Sequence, residues 1–367
     1  MKILFFAVTK RQYNYFKNLA NNLPYSSRVQ FFPSLSISLE GLKILKEIDK
    51  NRILDRKFIE IEAKYKNSIY KSLYKLFLRV QFPWVVMVSL KALKSFKPDF
   101  VLLWNGKKFY QEIFLEVAKI LKVKPIFFEN GVLPNRTTMD FIGVNASNSL
   151  PRDAKFYKNL SYKSRDLPQK LEVRKSKKAK KSFDNRLPKK YIFIPFQVAY
   201  DTQIVQHSPW IKDMFEFFDI IEWLSQRLDI TFVIKEHPSD RVSDYSTLHK
   251  RANQKIQFSS ENTQTLIENS LAIMTINSSV AMESLLFKKR VIVLGEAFFA
   301  IDGVVKVASS KEEILEILED IDNWRVDERL IDNFLQYIYK DYLIPTNWRN
   351  PDKKHYQAIE QKIEESI

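Results

Sequence analysis

The second half of the chain carries polar side chains directly after short apolar runs, where chemistry is easiest to place. After Tyr191–Pro195 comes a loop with one carboxylate, Asp201, together with Gln197, Gln203 and His207. An aspartate in such a loop could act as an acid, a base or a nucleophile. A single aspartate in a loop is also a common helix cap. The pattern leaves both roles open.

A second cluster pairs a cation with an imidazole. Lys235 ends the next apolar run, and His237 follows it just before Pro238. Together these groups could hold a phosphate or a carboxylate, although exposed charges at a strand end are an equally simple interpretation. The chain has only 4 histidines, so we take His237 as a candidate catalytic residue.

Two further clusters offer backbone N–H groups and hydroxyls. Asn277, Ser278 and Ser279 form a tight polar turn between an apolar run and an amphipathic helix, which favours an anion. Glu283, one turn into that helix, could reach a ribose hydroxyl. Serines and carboxylates at these positions are also ordinary caps. Gly295 ends the following apolar run, and with Gly303 in the same loop it indicates close backbone approach or positive φ, although a plain turn explains the two glycines almost as well.

The first half of the chain offers candidates for holding an acceptor. Glu129 ends an apolar run, where a carboxylate could act as general base on a hydroxyl, and a turn cap explains it equally well. A long non-helical run through Asp140 predicts the lining of a cleft. The candidate acceptor-side residues are Asn130, Gly131, Arg136, Asn145 and Arg152.

The elements that position these clusters alternate between short apolar runs and helical patterns, which predicts βαβ units and parallel sheets. The predicted strands are Ile3–Val8, Phe100–Leu103, Ile126–Phe128, Tyr191–Pro195, Thr231–Lys235, Lys255–Phe258, Ala272–Ile276 and Val291–Leu294. The predicted helices are Gln12–Asn21, Gln111–Leu121, most of Ile37–Lys97 and the stretch from Asp327 onward. The last five strands suffice for one Rossmann-like sheet.

Chain length sets the number of domains, because 367 residues exceed one ordinary core. The fold class is therefore α/β with two Rossmann-like domains. We predict a first domain at 1–154, a basic linker at 155–190, a second domain at 191–326, and C-terminal helices at 327–367 that pack across the junction.

Composition narrows the classes of partner. Lys and Arg outnumber Asp and Glu by 59 to 43, a net charge of +16, which favours phosphates, acidic sugars, nucleic acid or an anionic membrane face. The chain has no cysteine, which excludes disulfides and thiolate chemistry and fits a reducing compartment. Lys75, Arg79 and Pro83 interrupt the most apolar stretch. We expect a cytoplasmic protein that does not cross a membrane.

Common catalytic signatures are absent from the sequence. It contains no GxxxxGK[ST], HExxH, GxSxG or GxGxxG motif, which argues against P-loop, zincin, hydrolase-elbow and dinucleotide chemistry. Clusters of His and Cys that could bind a metal are likewise missing.

The order and spacing of the motifs resemble the capsule polysaccharide synthesis family, the bacterial retaining β-Kdo glycosyltransferases of the KpsS and KpsC type. The matching blocks are Phe128-Glu129-Asn130-Gly131, Gly143-Val144-Asn145 with Ser149-Leu150-Pro151-Arg152, Gln197-x-x-x-Asp201 with His207-Ser208, Lys235-x-His237-Pro238, Asn277-Ser278-Ser279 with Glu283, and Leu294-Gly295 with Gly303.

This resemblance implies a GT-B-related arrangement and transfer of Kdo from CMP-β-Kdo with retention, by double displacement. It implies that Asp201 is the nucleophile and that Glu283 faces the ribose. Around the CMP phosphate and the sugar carboxylate it places Lys235, His237, Ser278 and Ser279. A lipid-linked or oligosaccharide acceptor of capsule or lipopolysaccharide synthesis would bind the first domain, and the nucleotide sugar would bind the second. The candidate donor-binding residues are Gln197, Gln203, His207, Lys235, Asn277, Ser278, Ser279, Glu283 and Gly295.

No cofactor and no metal are expected, because a cation, an imidazole and a helix N-terminus can neutralise the single phosphate of a CMP-sugar. The segment Val132–Asp140 departs from the aromatic-Arg-Pro pattern of the enzyme that primes the capsule lipid anchor. A lipid-anchored primer, a growing oligosaccharide and a lipopolysaccharide core therefore all remain open as acceptors.

Two other classes of function fit parts of the sequence. One is a GT-B transferase that uses a UDP- or GDP-sugar, or a sialyltransferase that uses another CMP-sugar. The other is a basic RNA-binding protein, suggested by Lys177-Lys178 and Lys180-Lys181. No nucleic-acid module signature accompanies these lysines, so we expect no nucleic-acid partner. The basic linker and Tyr70–Val86 could rest on the anionic cytoplasmic face of the inner membrane.

Overall fold

The computed structural model describes residues 1–33, 36–163, 166–171 and 186–367. The strands are β1 (Lys2–Ala7), β2 (Ser26–Phe31), β3 (Phe100–Trp104), β4 (Lys124–Asn130), β5 (Arg136–Asp140), β6 (Tyr191–Pro195), β7 (Thr231–Lys235), β8 (Ile256–Phe258), β9 (Ala272–Thr275), β10 (Arg290–Val293), β11 (Lys306–Val307) and β12 (Ile344–Pro345).

Helices connect most of these strands. They are α1 (Lys10–Asn22), α2 (Gly41–Ile44), α3 (Lys50–Lys64), α4 (Ser68–Phe96), α5 (Phe109–Ile120), α6 (Ala154–Lys158), α7 (Thr202–His207), α8 (Met214–Ser225), α9 (Ser246–Arg251), α10 (Thr263–Asn269), α11 (Val280–Leu286), α12 (Lys311–Glu319), α13 (Glu328–Tyr337) and α14 (Lys353–Glu364).

The first unit comprises Met1–Ser149 and Tyr342–Ile367. Its sheet has the order β12-β5-β4-β3-β1-β2, in which β1 to β4 run parallel while β5 and β12 pair in antiparallel fashion. Residues of β1 alternate between two cores, as a strand buried on both faces requires. Leu4 and Phe6 join the core on one face, and Phe5 packs on Phe16 on the other, with ring centroids 5.5 Å apart.

The second unit comprises Leu150–Asp341. Its strands lie in the order β11-β10-β9-β6-β7-β8 and are all parallel. If β6 to β11 are numbered 1 to 6 along the chain, the order read from β8 to β11 is 3-2-1-4-5-6, which is the order of a Rossmann sheet. The predicted α/β class with two Rossmann-like domains is therefore confirmed, although the first sheet is parallel only from β1 to β4.

Four strands have no counterpart in the sequence prediction. β2 is an edge strand with mostly polar residues, and β5 reads Arg-Thr-Thr-Met-Asp, although Thr137 and Thr138 are buried. β11 and β12 are two residues long. All four owe their conformation to hydrogen bonds with a neighbouring strand, and such pairing leaves little trace in hydrophobic period.

The unit boundaries differ from the predicted segments at both ends of the second unit. α6 packs against α13 through Tyr157 and Phe334, whose ring centroids are 5.1 Å apart, and Asn333 donates to the Tyr157 carbonyl at 3.0 Å. Residues from Leu150 therefore belong to the second unit, as does α13. The chain then returns, and β12 pairs with β5 in the first unit.

Part of the predicted basic linker, including Lys177-Lys178 and Lys180-Lys181, lies outside the described residues. The described part of segment 155–190 begins with α6, which is folded against α13 in the second unit. Tyr157 of α6 is fully buried, so the first part of the predicted linker is a packed helix.

A buried imidazole fastens α14 to α1. Nε2 of His355 lies 2.7 Å from the Tyr15 hydroxyl, and Nδ1 lies 2.7 Å from the carbonyl oxygen of Pro345. A carbonyl oxygen only accepts hydrogen bonds, so Nδ1 carries the proton of the neutral ring and Tyr15 donates to Nε2. Burial disfavours the charged ring and lowers the pKa of His355 from its ordinary 6.5, although the bond to Pro345 acts in the opposite direction.

We expect the free energy of unfolding to fall as the pH is lowered through 6.5, because the unfolded chain then binds a proton at His355 that the folded chain excludes. The loss is complete below the lowered pKa of the folded state. Urea titrations of the wild type and His355→Gln across this range measure the effect. The stability advantage of the wild type should shrink towards acid pH, and an advantage that grows there would contradict the neutral ring.

Candidate active site

The carboxyl edge of the second sheet gathers every residue that the sequence proposed for donor binding. Because the strands are parallel, the loops after β6, β7, β9 and β10 emerge at the same edge. The strand order reverses between β6 and β9, and ligands of open α/β sheets bind in the crevice at such a point. The end of β7, these loops and the helices α7 and α11 that follow them contain Gln197, Asp201, Gln203, His207, Lys235, His237, Asn277, Ser278, Ser279, Glu283 and Gly295.

Two buried amides join the loops on either side of this switch point. Gln197 donates from Nε2 to Oδ1 of Asn277 at 2.9 Å, and its Oε1 accepts from the Asn277 backbone N–H at 3.1 Å. Thr275 adds its hydroxyl to the same oxygen at 3.2 Å. Gln197 is 7% exposed and Asn277 2%. These predicted donor-binding residues hold the two loops together.

Asn277 also ties α7 to the sheet. Its Nδ2 donates to the backbone carbonyls of Gln203 at 2.9 Å and His207 at 3.0 Å. The His207 carbonyl in turn accepts from the Glu296 N–H at 2.9 Å. A Cβ at Gly295 would lie 2.7 Å from this carbonyl oxygen, so the absence of a side chain at Gly295 permits the contact. Close backbone approach, predicted from Gly295, is confirmed.

Asp201 sits at the start of α7 as its N-cap. Its Oδ1 accepts from the Gln203 N–H at 3.0 Å and from the Thr202 hydroxyl at 3.3 Å. The residue is exposed. Both side-chain hydrogen bonds of Asp201 to described residues go to Oδ1, which leaves Oδ2 with none. The carboxylate is thus held by a cap through one oxygen and can present the other to a ligand.

His207 ends α7 and faces the loop after β10. Its Nδ1 lies 2.8 Å from Oε2 of Glu296, and the imidazole is buried while the glutamate is exposed. A carboxylate at Nδ1 fixes the orientation of the ring. Glu296 was not among the sequence candidates, although its position directly after Gly295 was the available signal.

The loop after β7 carries a cation and an imidazole in defined orientations. Nζ of Lys235 donates to the Glu261 carbonyl. Nδ1 of His237 accepts from the Ser239 N–H at 3.1 Å. In the neutral ring, the proton of His237 is therefore on Nε2, which makes Nε2 a donor. A donor of this kind suits a phosphate or carboxylate oxygen.

A buried carboxylate shapes the loop that follows His237. Asp240 accepts from the N–H groups of Val242 and Ser243, each at 3.1 Å, and from the Tyr245 hydroxyl at 3.0 Å. Burial alone would raise the pKa of Asp240, but hydrogen bonds from Ser243, Val242 and Tyr245 outweigh it and lower the pKa. Asp240 fixes the loop after His237 and was also missed, since its sequence context gives no sign of its burial.

The turn after β9 is capped internally. Ser278 Oγ accepts from the Val280 N–H at 3.2 Å, and the Ser278 N–H donates to the Thr275 hydroxyl at 3.3 Å. Ser279 is the N-cap of α11, and half-buried Glu283 lies in its first turn. Ser278 therefore acts as a helix cap, which is one of the two roles that the sequence left open.

In the first unit, Glu129 lies at the end of β4 and joins it to the turn after β3. Its Oε1 accepts from Trp104 Nε1 at 3.2 Å and from both nitrogens of Asn130 at 2.8 Å. Its Oε2 accepts from Asn105 Nδ2 at 2.8 Å. Asn105 and Gly106 adopt positive φ in that turn. These contacts are those of a turn cap, one of the two roles proposed for Glu129. Oε2 accepts one of these hydrogen bonds and can accept another.

The acceptor-side candidates lie in separate segments of the chain. Asn130 Oδ1 accepts from Trp348 Nε1 at 2.9 Å, and Gly131 approaches the Arg136 carbonyl across the β4–β5 turn. Asn145 begins a short 3-10 turn with positive φ. Arg152 lies in the second unit and donates to the Leu150 carbonyl.

Asp140 corrects the prediction of a cleft lining in this region. It is 1% exposed. Its carboxylate accepts from the N–H groups of Ile142, Gly143 and Ser149, from the Ser149 hydroxyl and from the Tyr342 hydroxyl, at 2.7–3.0 Å. Asp140 is therefore buried among its own hydrogen-bond donors and does not line a cleft, whereas Ser149 is exposed.

In the part of the chain that the structure describes, no group of three or more His, Asp or Glu side chains could hold a metal ion.

Comparison with known proteins identifies the family. The sequence model of the family described as "Capsule polysaccharide biosynthesis protein" matches residues 155–344, slightly more than half of the chain. The chain is also 31% identical over 301 residues to Protein FixF of Sinorhizobium fredii (strain NBRC 101917 / NGR234), which covers 81% of this chain and 73% of that protein. The chain belongs to the capsule polysaccharide biosynthesis family. The predicted family membership is confirmed.

Solved structures to which the chain is similar include two enzymes. KpsC of Thermosulfurimonas dismutans, a β-Kdo 2,7 transferase, aligns over 100% of both chains with a TM-score of 0.49 and 13% identity. The UDP-GlcNAc 2-epimerase of Neisseria meningitidis aligns over 100% of both chains with a TM-score of 0.41 and 12% identity. Membership of the capsule polysaccharide biosynthesis family rests on the sequence comparisons alone.

The family match and the second unit nearly coincide. Residues 155–344 contain β6 to β11 and all the loops at the carboxyl edge of the second sheet. The family match therefore covers the sheet edge that carries the candidate donor-binding residues. Glu129, Asn130 and the other candidates of the first unit lie before the matched residues.

Proposed function

We propose that the chain is a glycosyltransferase that transfers Kdo from CMP-β-Kdo, with retention at the anomeric carbon, to a lipid-linked or oligosaccharide acceptor in capsule or lipopolysaccharide synthesis. Family membership and the ordered motifs support this proposal. We further propose a cytoplasmic location. A transferase that uses another nucleotide sugar is the remaining alternative.

One structural observation carries the proposal. Asp201 stands on a short helix that Asn277 ties to the switch point between β6 and β9. Nucleotides bind Rossmann sheets at this point. A carboxylate with one oxygen in a cap and the other available, held where a nucleotide would lie, supports a nucleophilic role for Asp201.

In the proposed reaction, Oδ2 of Asp201 attacks the anomeric carbon of Kdo and forms an ester. The bond between that carbon and the phosphate oxygen breaks, and its electron pair leaves with CMP. The acceptor hydroxyl then attacks the same carbon and releases the carboxylate, while its proton passes to a base. Two inversions give net retention. Glu129 and His237 are the proposed acid–base residues.

The leaving group would be held by the loop after β7. Lys235 supplies a positive charge, and the Nε2 proton of His237 supplies a directed donor. β7 and β9 flank β6, so their ends are two strand spacings, about 10 Å, apart. A nucleoside monophosphate and its sugar can extend across that distance. Gln203, Ser278, Ser279 and Glu283 complete the proposed donor side.

The decisive experiment is product analysis. The purified chain is incubated with CMP-Kdo generated in situ and with a panel of lipid and oligosaccharide acceptors, and the products are analysed by mass spectrometry and NMR. A product with a β-linked Kdo supports the proposal. Thermal protection by UDP or GDP, but not by CMP, would favour the alternative nucleotide sugars.

Transfer should persist when divalent metal ions are removed. A CMP-sugar has one phosphate, and a cation with an imidazole can balance its charge. We therefore expect the initial rate in EDTA to stay within about 2-fold of the untreated rate. The coupling enzyme that makes CMP-Kdo is removed before chelation. Loss of transfer in EDTA with recovery on adding Mg²⁺ or Mn²⁺ would contradict this expectation.

A further inference from the structure

The first three turns of α4 expose a continuous apolar face. Its side chains include Ile69 at 71% exposure, Leu73 at 62% and Val80 at 71%. Positions three and four apart share one side of a helix. We call this face the α4 stripe, and it consists of Ile69, Tyr70, Leu73, Leu76, Phe77 and Val80.

The stripe points away from the core of the first unit. Leu78 and Phe82, on the opposite side of the same helix, are buried in that core. The outer side of a helix on a folded domain is normally polar, and a contiguous exposed apolar patch marks an interaction site. Phe82, Val85 and Val86 are buried, so the exposed part of the predicted membrane-contacting segment Tyr70–Val86 ends at Val80.

Basic side chains flank the stripe. They are Lys64, Lys66, Lys71, Lys75 and Arg79. Glu62 pairs with both Lys71 and Lys75, which leaves that group one positive charge, and Glu60 lies 2.8 Å from Lys57. With Lys64, Lys66 and Arg79, the surroundings of the stripe keep a net positive charge. An apolar helix face bordered by cations complements the interface of an anionic lipid bilayer, which offers acyl chains beneath negative headgroups.

The length of the stripe decides how the helix would lie. Ile69 to Val80 spans eleven residue steps, or about 16 Å, which is shorter than the ~30 Å hydrocarbon core. By length and composition α4 as a whole could cross a membrane, but half of its most apolar window is buried in the protein. The stripe fits a helix that lies in the plane of the membrane surface.

We propose that the α4 stripe docks the chain onto an anionic bilayer, with its apolar side chains among the acyl chains and its flanking cations at the headgroups. Docking uses the first unit alone and needs none of the proposed donor-side residues. Its failure would leave the proposed transfer reaction untouched.

The test compares three full-length proteins by flotation with vesicles of phosphatidylcholine, with and without phosphatidylglycerol. The test variant is Leu73→Ser/Phe77→Ser, which removes two exposed side chains of the stripe. The control is Ile142→Ser/Val307→Ser, which removes apolar side chains of similar exposure, 69% and 52%, elsewhere. All four positions are exposed, so each protein should keep the wild-type melting temperature.

We expect wild type and control to bind the phosphatidylglycerol vesicles equally and the test variant to bind at least ~30-fold more weakly, because two large apolar groups no longer leave water. Binding should weaken as NaCl rises from about 0.05 to about 0.5 M. Equal binding of all three proteins, or of the wild type to both vesicle types, would overturn the proposal. So would a wild-type dimer that binds no vesicles and that the test variant makes monomeric in light scattering.

Discussion

Asp201→Asn should lower the rate of transfer by a factor of about 10³ or more while leaving the fold and CMP binding intact. The amide keeps the shape of the side chain, and asparagine is as good an N-cap as aspartate. Its Oδ1 can still accept from the Gln203 N–H, which lies 3.0 Å away in the wild type. The substitution therefore removes the nucleophile and keeps the cap, so catalysis and structure are separated.

A matched control exists on the next helix. Asp213 is the N-cap of α8 and accepts from the N–H groups of Phe215 and Glu216 at 2.8 and 2.9 Å. Asp213→Asn makes the same chemical change at an equivalent cap, and we expect its transfer rate to stay within about 3-fold of wild type. If Asp201→Asn behaves like Asp213→Asn, Asp201 is a cap and not the nucleophile.

A covalent glycosyl-enzyme intermediate can be detected directly by mass spectrometry. Wild-type protein incubated with donor and no acceptor should gain the mass of one Kdo residue, and the added mass should map to the peptide that contains Asp201. The Asp201→Asn protein should gain none. An adduct on another carboxylate would retain the double displacement but reassign its nucleophile.

Runs of apolar residues predicted the central strands, because apolar side chains mark the positions that are buried. Tyr191–Pro195 and Thr231–Lys235 are fully or largely buried runs, and their predicted bounds coincide with β6 and β7. β5 could not be found this way, since its threonines are buried through pairing with β4 and carry no apolar pattern. Strands whose conformation depends on a neighbour leave a weaker mark in the sequence.

The candidate site was predictable in position but not in detail. Strand ends in a parallel sheet meet at one edge, so the location of Asp201, His237 and Asn277 followed from the chain order. The role of each residue depends on contacts between residues that are far apart in the sequence. Gln197 and Asn277 are 80 positions apart and bond to each other, and a single sequence gives no sign of that pairing.

The contacts of Asn277 lead to the second large expected effect. Asn277→Ala should lower the free energy of unfolding of the second unit by about 3 kcal/mol, since Nε2 of buried Gln197 loses its acceptor and the carbonyls of Gln203 and His207 lose the Nδ2 donor. CMP protection should fall with it, because α7 loses its tie to the sheet. Exposed Asn269, whose Nδ2 donates to the Thr265 carbonyl on α10, supplies the control, and Asn269→Ala should cost under about 0.5 kcal/mol.

A double-mutant cycle with Gln197→Ala distinguishes a connected pair from two independent buried amides. The two side chains share one hydrogen bond, from Gln197 Nε2 to Asn277 Oδ1 at 2.9 Å, so the cost of losing both side chains should be smaller than the sum of the single costs by about 1 kcal/mol. Urea titration followed by tryptophan fluorescence provides the four free energies. Additive costs would mean that each amide acts alone, and α7 would then be held to the switch point by Asn277 without help from Gln197.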